Sequence, residues 1–346
     1  MTATIDILAN NGRVGGGEVM MVAFAKGVRA AGITVRIVAP RAPDGAASLA
    51  RSDGFDVLEI PATDRWSYLE KLALHRGELD GDVWWCNGLV PALATAGSGH
   101  RRVVQLHQAP TGMQRYAWQA ARRSVEAVYV PSLSMQARVP GSDVLTNWTD
   151  DPGTTQPVDA DGFDGLRVGF IGRFSPIKGL HVLARAVQRL DRFSDRPVRL
   201  VLAGDGRFVD RVGSGLVETE LARVARVERL GWVDRATFFA KVDLVVVPSV
   251  WAEPFGLVAA EAMAYGRPVV VSDAGALTEV VGPSYPWVAR AGDAADTARV
   301  IQRFLDTDEC EHRRVCDQAR TRWEECFSPE AGNRRVAAVM AELGLC

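Results

Sequence analysis

Apolar runs and helical patterns alternate along the chain. Ile5–Ala9 is short and largely apolar, Glu18–Ala31 places its apolar residues at helical spacing, and Thr34–Ala39 is again apolar. Gly32 and Pro40 follow the second and third segments, where residues that end helices and strands are expected. The pattern predicts a strand, a helix and a second strand parallel to the first.

The same alternation continues to about residue 272 and predicts two doubly wound parallel sheets. Further buried strands are expected at Val83–Cys86, Val103–Leu106, Val125–Val130, Leu166–Ile171, Val198–Ala203, Val227–Leu230, Leu244–Val247 and Pro268–Ser272. Further helices are expected at Leu180–Leu190, Leu216–Val224, Phe255–Tyr265, Ala294–Leu305, Glu309–Glu325 and Pro329–Leu343. A chain with this pattern is of the α/β class, with helices on both faces of each sheet.

One segment interrupts the alternation. Residues 149–165 are rich in Asp, Gly, Pro and Thr and nearly free of apolar residues, which predicts an interdomain linker. A chain of 346 residues is long enough for about two domains of ordinary size. We therefore expect an N-terminal domain at 1–150, a linker at 151–165 and a C-terminal domain at 166–328. Ligands are expected in a cleft between the carboxyl ends of the two sheets.

Composition excludes several classes of protein. Forty Lys and Arg balance 42 Asp and Glu, so the chain lacks the basic field typical of proteins that bind nucleic acid. No apolar stretch approaches the roughly 20 residues that span a bilayer, and residues 1–6 show no signal-peptide pattern. The five cysteines lack the paired spacing of a zinc site and are expected to be free thiols. These features favour a cytoplasmic protein.

The most informative segment covers residues 248–268, after one predicted strand and into the next helix. Pro254 suits the start of a helix, whose exposed backbone N–H groups bind phosphate. Three amides are expected to do so: those of Phe255, Gly256 and Leu257. Glu253 lies just before that start, and Glu261 lies two turns further on, where a carboxylate can accept hydrogen bonds from a diol. Two acids on a solvated helix are the alternative.

A second segment, residues 168–180, places two cations on a loop after a predicted strand. Arg173 offers a planar fork for phosphate oxygens, and Lys178 offers a mobile point charge. Together they can balance a diphosphate that gains charge as it leaves. A surface ion pair is the alternative for each cation.

The two segments resemble the signatures of the retaining GT-B glycosyltransferases of group 1, or family 4. Residues 253–264 read EPFGLVAAEAMA, close to the Glu-x7-Glu signature, and residues 172–179 read GRFSPIKG, similar to the family's Gly-Arg-x4-Lys-Gly loop. The resemblance implies that Glu253 contacts the donor sugar, that Glu261 binds the nucleotide ribose, and that Arg173 and Lys178 hold the diphosphate. It also implies two Rossmann-like domains and a last helix, at about 329–346, that crosses back to the N-terminal domain.

Smaller matches follow in the family's order. Residues 202–206 resemble its strand-end glycine turn, residues 230–233 resemble the segment beside the nucleobase, and residues 15–18 resemble the Gly-Gly-x-Glu loop that faces donor phosphate and acceptor. Together with the loop at 172–179 they give six further donor-binding candidates: Gly16, Gly17, Gly172, Gly204, Trp232 and Val233. His107, at the end of a predicted strand, resembles a histidine that contacts the donor sugar in many members. Tight turns and a structural loop histidine are the alternatives.

Two other kinds of sequence pattern are less informative about function. Asp159-Ala-Asp161 and Asp306-Thr-Asp308 spell DxD, the metal-diphosphate motif of a different glycosyltransferase fold, but they lie in the linker and at a helix end, so no metal site is expected. The stretch Arg101–Arg138 carries six arginines with interleaved aromatic residues. It can dock an anionic membrane surface or a polyprenyl-phosphate acceptor, or it can be a solvated helix face.

The sequence therefore predicts a cytoplasmic, metal-independent, retaining glycosyltransferase that needs no cofactor. Its donor is expected to be a UDP- or GDP-hexose and its acceptor an unidentified hydroxyl of a glycan, lipid-linked or small molecule, as in bacterial-type glycoconjugate biosynthesis, with peripheral contact at the inner membrane face. An NAD-dependent dehydrogenase also has two α/β domains, but its GxGxxG fingerprint is missing. A non-catalytic nucleotide-sugar sensor or scaffold on the same fold remains an alternative.

Overall fold

The computed structural model describes residues 3–153, 162–194, 196–206 and 210–345. It divides into two compact units, of which unit 1 comprises Met1–Trp148 with Pro329–Cys346 and unit 2 comprises Thr149–Ser328. Each unit has its own parallel sheet and its own hydrophobic core.

Unit 1 is a doubly wound sheet. Its strands in the described residues are β1 (Thr4–Leu8), β2 (Thr34–Pro40), β3 (Asp56–Ile60), β4 (Val83–Cys86), β5 (Arg102–Gln105), β6 (Ala127–Val130) and β7 (Asp143–Val144). Its helices there are α1 (Gly16–Ala30), α2 (Gly45–Ser52), α3 (Arg65–Leu74), α4 (Leu89–Ala94), α5 (Gln114–Ala121), α6 (Leu133–Arg138) and α14 (Pro329–Glu342). The strand order is β3-β2-β1-β4-β5-β6-β7, and it reverses between β1 and β4. Helix α14 packs against α1, where Val336 approaches Gly27.

Unit 2 repeats this architecture. Its strands in the described residues are β8 (Leu166–Ile171), β9 (Val198–Ala203), β10 (Val227–Gly231), β11 (Leu244–Val247), β12 (Val269–Ser272) and β13 (Val288–Ala289). Its helices there are α7 (Leu180–Phe193), α8 (Arg211–Leu221), α9 (Arg235–Phe239), α10 (Leu257–Ala264), α11 (Leu277–Val281), α12 (Ala294–Leu305) and α13 (Glu309–Cys326). The order β10-β9-β8-β11-β12-β13 reverses between β8 and β11, and such a reversal leaves a crevice at the carboxyl ends of the strands.

Strand β11 is apolar throughout because it is buried on both faces of the sheet. In β11, Leu244 and Val246 join one core cluster, whereas Val245 and Val247 join the cluster on the opposite face. A strand buried on both sides therefore reads as a continuous apolar run. The predicted α/β class and the two doubly wound parallel sheets are confirmed.

Several predicted boundaries are wrong at the edges. The strand β3 was not predicted, because only one of its five residues is buried and two are acidic. Helix α8 begins at Arg211, five residues before the predicted start, because Asp210 caps it by accepting a hydrogen bond from the N–H of Gly213 at 2.8 Å. Asp308 caps α13 in the same way, through the N–H of Glu311 at 3.0 Å.

The predicted linker at 151–165 falls largely outside the described residues, since positions 154–161 are among those not described, and the first DxD string lies there. Among the helices in the described ranges, none is both long enough and apolar enough to cross a membrane.

Candidate functional site

A lysine and a glutamate meet where the strand order of unit 2 reverses. Lys178 ends the turn that follows β8, and Glu253 lies in the loop that follows β11. The ammonium of Lys178 lies 2.6 Å from Oε1 of Glu253, whose side chain is 7% exposed. Ser249 donates a hydrogen bond to the same oxygen, also at 2.6 Å. Two of the predicted catalytic residues, 75 positions apart in sequence, are therefore brought into direct contact.

Two glycines let these loops approach each other closely. Gly179 has φ +76°, and a Cβ there would lie 1.7 Å from the carbonyl oxygen of Pro248. Gly275 has φ +63°, and a Cβ there would lie 2.4 Å from the carbonyl oxygen of Glu253. A side chain at either position would displace the loop that carries Glu253.

Sequence reasoning missed Gly275 and Ser249. Ser249 lies inside the informative segment, but nothing in its spacing shows that a serine four residues earlier reaches the glutamate. Ser272, on the neighbouring strand, donates to the main-chain oxygen of Ser249 at 2.7 Å and holds it in turn.

The loops that carry Arg173 and the predicted glycine turns lie side by side. A Cβ on Gly204 would lie 2.2 Å from the carbonyl oxygen of Gly172, so the turns after β8 and β9 touch through their backbones. The N–H of Phe174 donates to the carbonyl of Asp205 at 2.8 Å. Arg173 is exposed and has no ion-pair partner among residues 3–153, 162–194, 196–206 and 210–345. Its guanidinium is therefore available to an anion.

The predicted nucleobase segment presents an exposed indole. Trp232 follows β10, is 69% exposed, and donates from Nε1 to Oδ2 of Asp205 at 2.7 Å. Val233 is half-buried and packs against the core of unit 2. A flat ring held by its polar edge is suited to stacking with a base.

The predicted start of the helix after β11 is wrong. Helix α10 begins at Leu257, with Gly256 as its N-cap at φ +110°, and Pro254 lies in the preceding loop. A left-handed backbone at Gly256 breaks the helical path that Pro254 would otherwise have begun. Phe255 therefore contributes no helical amide; its ring is buried against Phe327 at 5.4 Å.

Glu261 lies within α10 and is ion-paired. Its Oε2 lies 2.8 Å from Nε of Arg235, and its side chain is 15% exposed. Burial raises the pKa of Glu261, and Arg235 opposes that shift. The carboxylate is held in place by a cation that the sequence had not singled out.

In unit 1, His107 lies beside the glycine-rich loop. Its Nε2 lies 2.8 Å from Oδ1 of Asn87, and Nδ2 of Asn87 donates to the carbonyl of Gly17 at 3.2 Å. Burial lowers the pKa of His107 to about 4, so the ring is neutral near pH 7. Because the amide oxygen only accepts, Nε2 carries the proton and Nδ1 is left as an acceptor.

Glu18 closes the first turn of α1, which begins with Gly16 and Gly17. Its carboxylate accepts hydrogen bonds from Nδ2 of Asn11 at 2.9 Å and from the N–H of Gly15 at 3.1 Å. Burial raises the pKa of Glu18 to about 7. The predicted loop is thus built around a buried acid, whereas Asn87, which joins it to His107, was not predicted.

Known proteins resemble part of this chain in sequence and the whole of it in fold. The profile of the family "Glycosyl transferases group 1" matches residues 165–307. A D-inositol 3-phosphate glycosyltransferase of Mycolicibacterium smegmatis is 36% identical over 155 residues, which cover 41% of this chain and 33% of that protein. An uncharacterized glycosyltransferase of Methanocaldococcus jannaschii is 29% identical over 50% of this chain and 47% of its own length. The chain thus matches between a third and a half of the length of these two relatives.

Solved structures resemble the whole chain. The Anabaena protein HepE, crystallised in complex with UDP and glucose, superposes with a TM-score of 0.82 at 22% identity, over 97% of this chain and 99% of that one. Sucrose-phosphate synthase from Thermosynechococcus elongatus gives a TM-score of 0.80 at 20% identity, over 99% of both chains. The fold is therefore GT-B, and residues 165–307, within the second unit, match the glycosyl transferases group 1 family.

Proposed function

We propose that this protein is a glycosyltransferase that moves a sugar from a nucleotide diphosphate sugar to a hydroxyl acceptor. The observation that carries the proposal is the contact between Lys178 and Glu253 at the strand-order reversal of unit 2. A cation and a carboxylate at that place can serve the two halves of such a donor, its diphosphate and its sugar.

Different residues of unit 2 bind different parts of the donor in this proposal. Arg173 and Lys178 hold the diphosphate, and Glu253 offers its second oxygen to the sugar hydroxyls because Oε1 already accepts from two donors. Glu261 receives the ribose hydroxyls, and the backbone beside Trp232 receives the base. A UDP- or GDP-hexose fits this arrangement, and a HepE structure contains UDP-glucose.

The proposed transfer is retaining and requires no metal. The acceptor oxygen bonds to the anomeric carbon on the face from which the diphosphate leaves, and the acceptor proton passes to the leaving phosphate oxygen. Retention rests on the resemblance to the family. Metal independence rests on charge, because Arg173 and Lys178 offset the growing negative charge of the diphosphate. In the described ranges, no group of three or more His, Cys, Asp or Glu could hold a metal ion.

For the proposed membrane contact, only part of the segment Arg101–Arg138 offers exposed cations. Arg102 is buried and donates to main-chain carbonyls, and Arg101 is ion-paired with Glu126 at 2.7 Å, so Arg101–Arg138 is not one basic face. What remains at α5 is Arg115 with the exposed side chains of Met113 and Tyr116. We propose this smaller surface for peripheral contact with anionic lipid. Sedimentation with phosphatidylglycerol vesicles, and its loss in Arg115→Glu, tests that contact.

Donor turnover is the test of the proposed function. Release of free nucleoside diphosphate should be measured from UDP-, GDP- and ADP-sugars, with and without candidate acceptors. Turnover of one donor supports the proposal and names the nucleotide. Tight binding of a donor without release in any mixture would instead indicate a sensor or scaffold. An absorbance change with NADH would indicate a dehydrogenase.

A further inference from the structure

A cavity of about 900 Å³ lies in unit 2 between α7, α8 and the loop before α12. Four arginines line it: Arg185, Arg189, Arg192 and Arg223. Two carboxylates, Glu220 and Asp293, also line it, so its charged side chains sum to +2. None of the residues that line it belongs to the donor site described above. The volume lies in the range of sites that hold small ligands.

A buried carboxylate fixes part of this arginine cluster. Glu220 is 5% exposed, and its carboxylate lies 2.9 Å from the guanidinium of Arg185 and 3.4 Å from that of Arg223. Its main-chain oxygen accepts from Nε2 of Gln188 at 3.0 Å. Two guanidinium groups are thus already ordered, which lowers the entropy lost when an anion binds.

Within the described part of the chain, Arg189 and Arg192 on α7 lack the local ion pairs that several arginines of α12 and α13 form. Over the described ranges of the chain, neither has a carboxylate partner. On α12 and α13, by contrast, four arginines each pair with an acid three or four residues away: Arg299, Arg313, Arg314 and Arg320. Like charges at these helical spacings repel one another, and a bound anion would relieve that repulsion.

We propose that this cavity binds a phosphorylated small molecule at a site separate from the donor site. The guanidinium forks of Arg189 and Arg192 match the oxygens of a phosphate, and the net charge of the lining balances a dianion. Phe193 lines the same cavity with 85% of its surface exposed, and its ring can pack against an apolar part of the ligand. Because the charges line a recess, a small ligand fits better than a flat membrane surface.

Calorimetry with inorganic pyrophosphate and with phenyl phosphate tests the proposal. Saturating UDP or GDP, whichever binds, keeps the donor site filled during the titration. We expect one further site per chain, with affinity about tenfold or more weaker in the double variant Arg189→Glu/Arg192→Glu. The variant Arg303→Glu/Arg313→Glu has the same change in net charge at exposed positions outside the cavity, and it should bind as the wild type does. Both variants should keep the wild-type affinity for the nucleoside diphosphate.

Three results would overturn the proposal. The first is no binding of either probe to the wild type, and the second is an equal loss of affinity in the two double variants, which would show an effect of net charge alone. The third is binding of phosphatidylglycerol vesicles that Arg189→Glu/Arg192→Glu abolishes while the soluble probes do not bind, which would make this face a lipid surface. Because nucleotide affinity is measured separately, each result can be told apart from failure of the proposed transfer.

Discussion

Replacing Lys178 with alanine should damage both the reaction and the fold. The Lys178 ammonium is one of two donors to Oε1 of Glu253, and the Glu253 side chain is 7% exposed. Lys178→Ala leaves Ser249 as the remaining donor to a carboxylate that is largely shielded from water. The stability of the protein should therefore fall, in addition to the loss of a charge that holds the diphosphate.

The expected loss of stability follows from the solvent exposure of the Lys178–Glu253 ion pair. Breaking a fully buried ion pair costs about 3–5 kcal/mol. Since 35% of the Lys178 side chain is exposed, water can take part of its place, and the expected cost falls to about 1–2 kcal/mol. Loss of one preorganised charge stabiliser should lower kcat by about 10²–10³.

Arg173→Ala is the matched control. Its exposed guanidinium has no ion-pair partner in the described ranges, so kcat should fall by a similar factor while stability stays within about 0.5 kcal/mol of wild type. Adding Glu253→Gln to Lys178→Ala should recover much of the lost stability, because no charge is then left buried. Urea denaturation measures stability, and initial rates of nucleoside diphosphate release measure kcat.

Two outcomes would refute this reasoning. Equal stability of Lys178→Ala and Arg173→Ala would mean that solvent screens the pair completely. A wild-type rate in either variant would mean that the cation does not hold the diphosphate.

Four further predictions follow from the site. Glu261→Ala should weaken binding of nucleoside diphosphate in calorimetry, whereas Glu253→Gln should leave it nearly intact and harm transfer; equal losses would contradict the division of roles. Ser249→Ala should lower kcat about tenfold with little change in KM, because it removes a hydrogen bond to the carboxylate of Glu253. Its control is Ser272→Ala, which removes a buried hydroxyl that donates to main-chain oxygens and should therefore affect stability more than rate. The product should retain the donor's anomeric configuration by proton NMR and form in excess EDTA; inversion, or inactivation that Mg²⁺ reverses, would contradict this. Finally, burial raises the pKa of Glu18 from 4.5 to about 7, so the folded state binds the extra proton, and the unfolding free energy of wild type relative to Glu18→Gln should fall as pH rises between those values; a flat difference would refute it.

Several residues that the sequence singled out as site candidates lie close together in unit 2. Lys178 and Glu253 lie together, and the turns at Gly172 and Gly204 touch. The predicted start of the helix after β11 depended on the path of the backbone, and it is wrong. Pro254 is compatible with a helix start, but the left-handed Gly256 moves that start to Leu257, and sequence pattern does not report a single φ angle.

The fold class and four buried strands follow from the amino-acid sequence alone. The strands Val83–Cys86, Leu166–Ile171, Val198–Ala203 and Leu244–Val247 have their predicted bounds, because strands covered on both faces carry long apolar runs, interrupted by a charged residue at Arg167 and at Arg199. Strand Asp56–Ile60, at the edge of its sheet, has one fully buried residue and two acidic ones, so it shows no such run.

Which side chains contact one another follows from the three-dimensional fold and not from the local sequence. Asn87 lies beside His107, Arg235 beside Glu261, and Ser249 shares an oxygen of Glu253 with a lysine from another loop. Periodicity along the chain reports how each residue is buried relative to its own sheet or helix, and so it predicts elements. Contacts between residues 20 to 75 positions apart in sequence are set by strand order and by the close approach of backbones at glycines. The local sequence pattern carries no information about either.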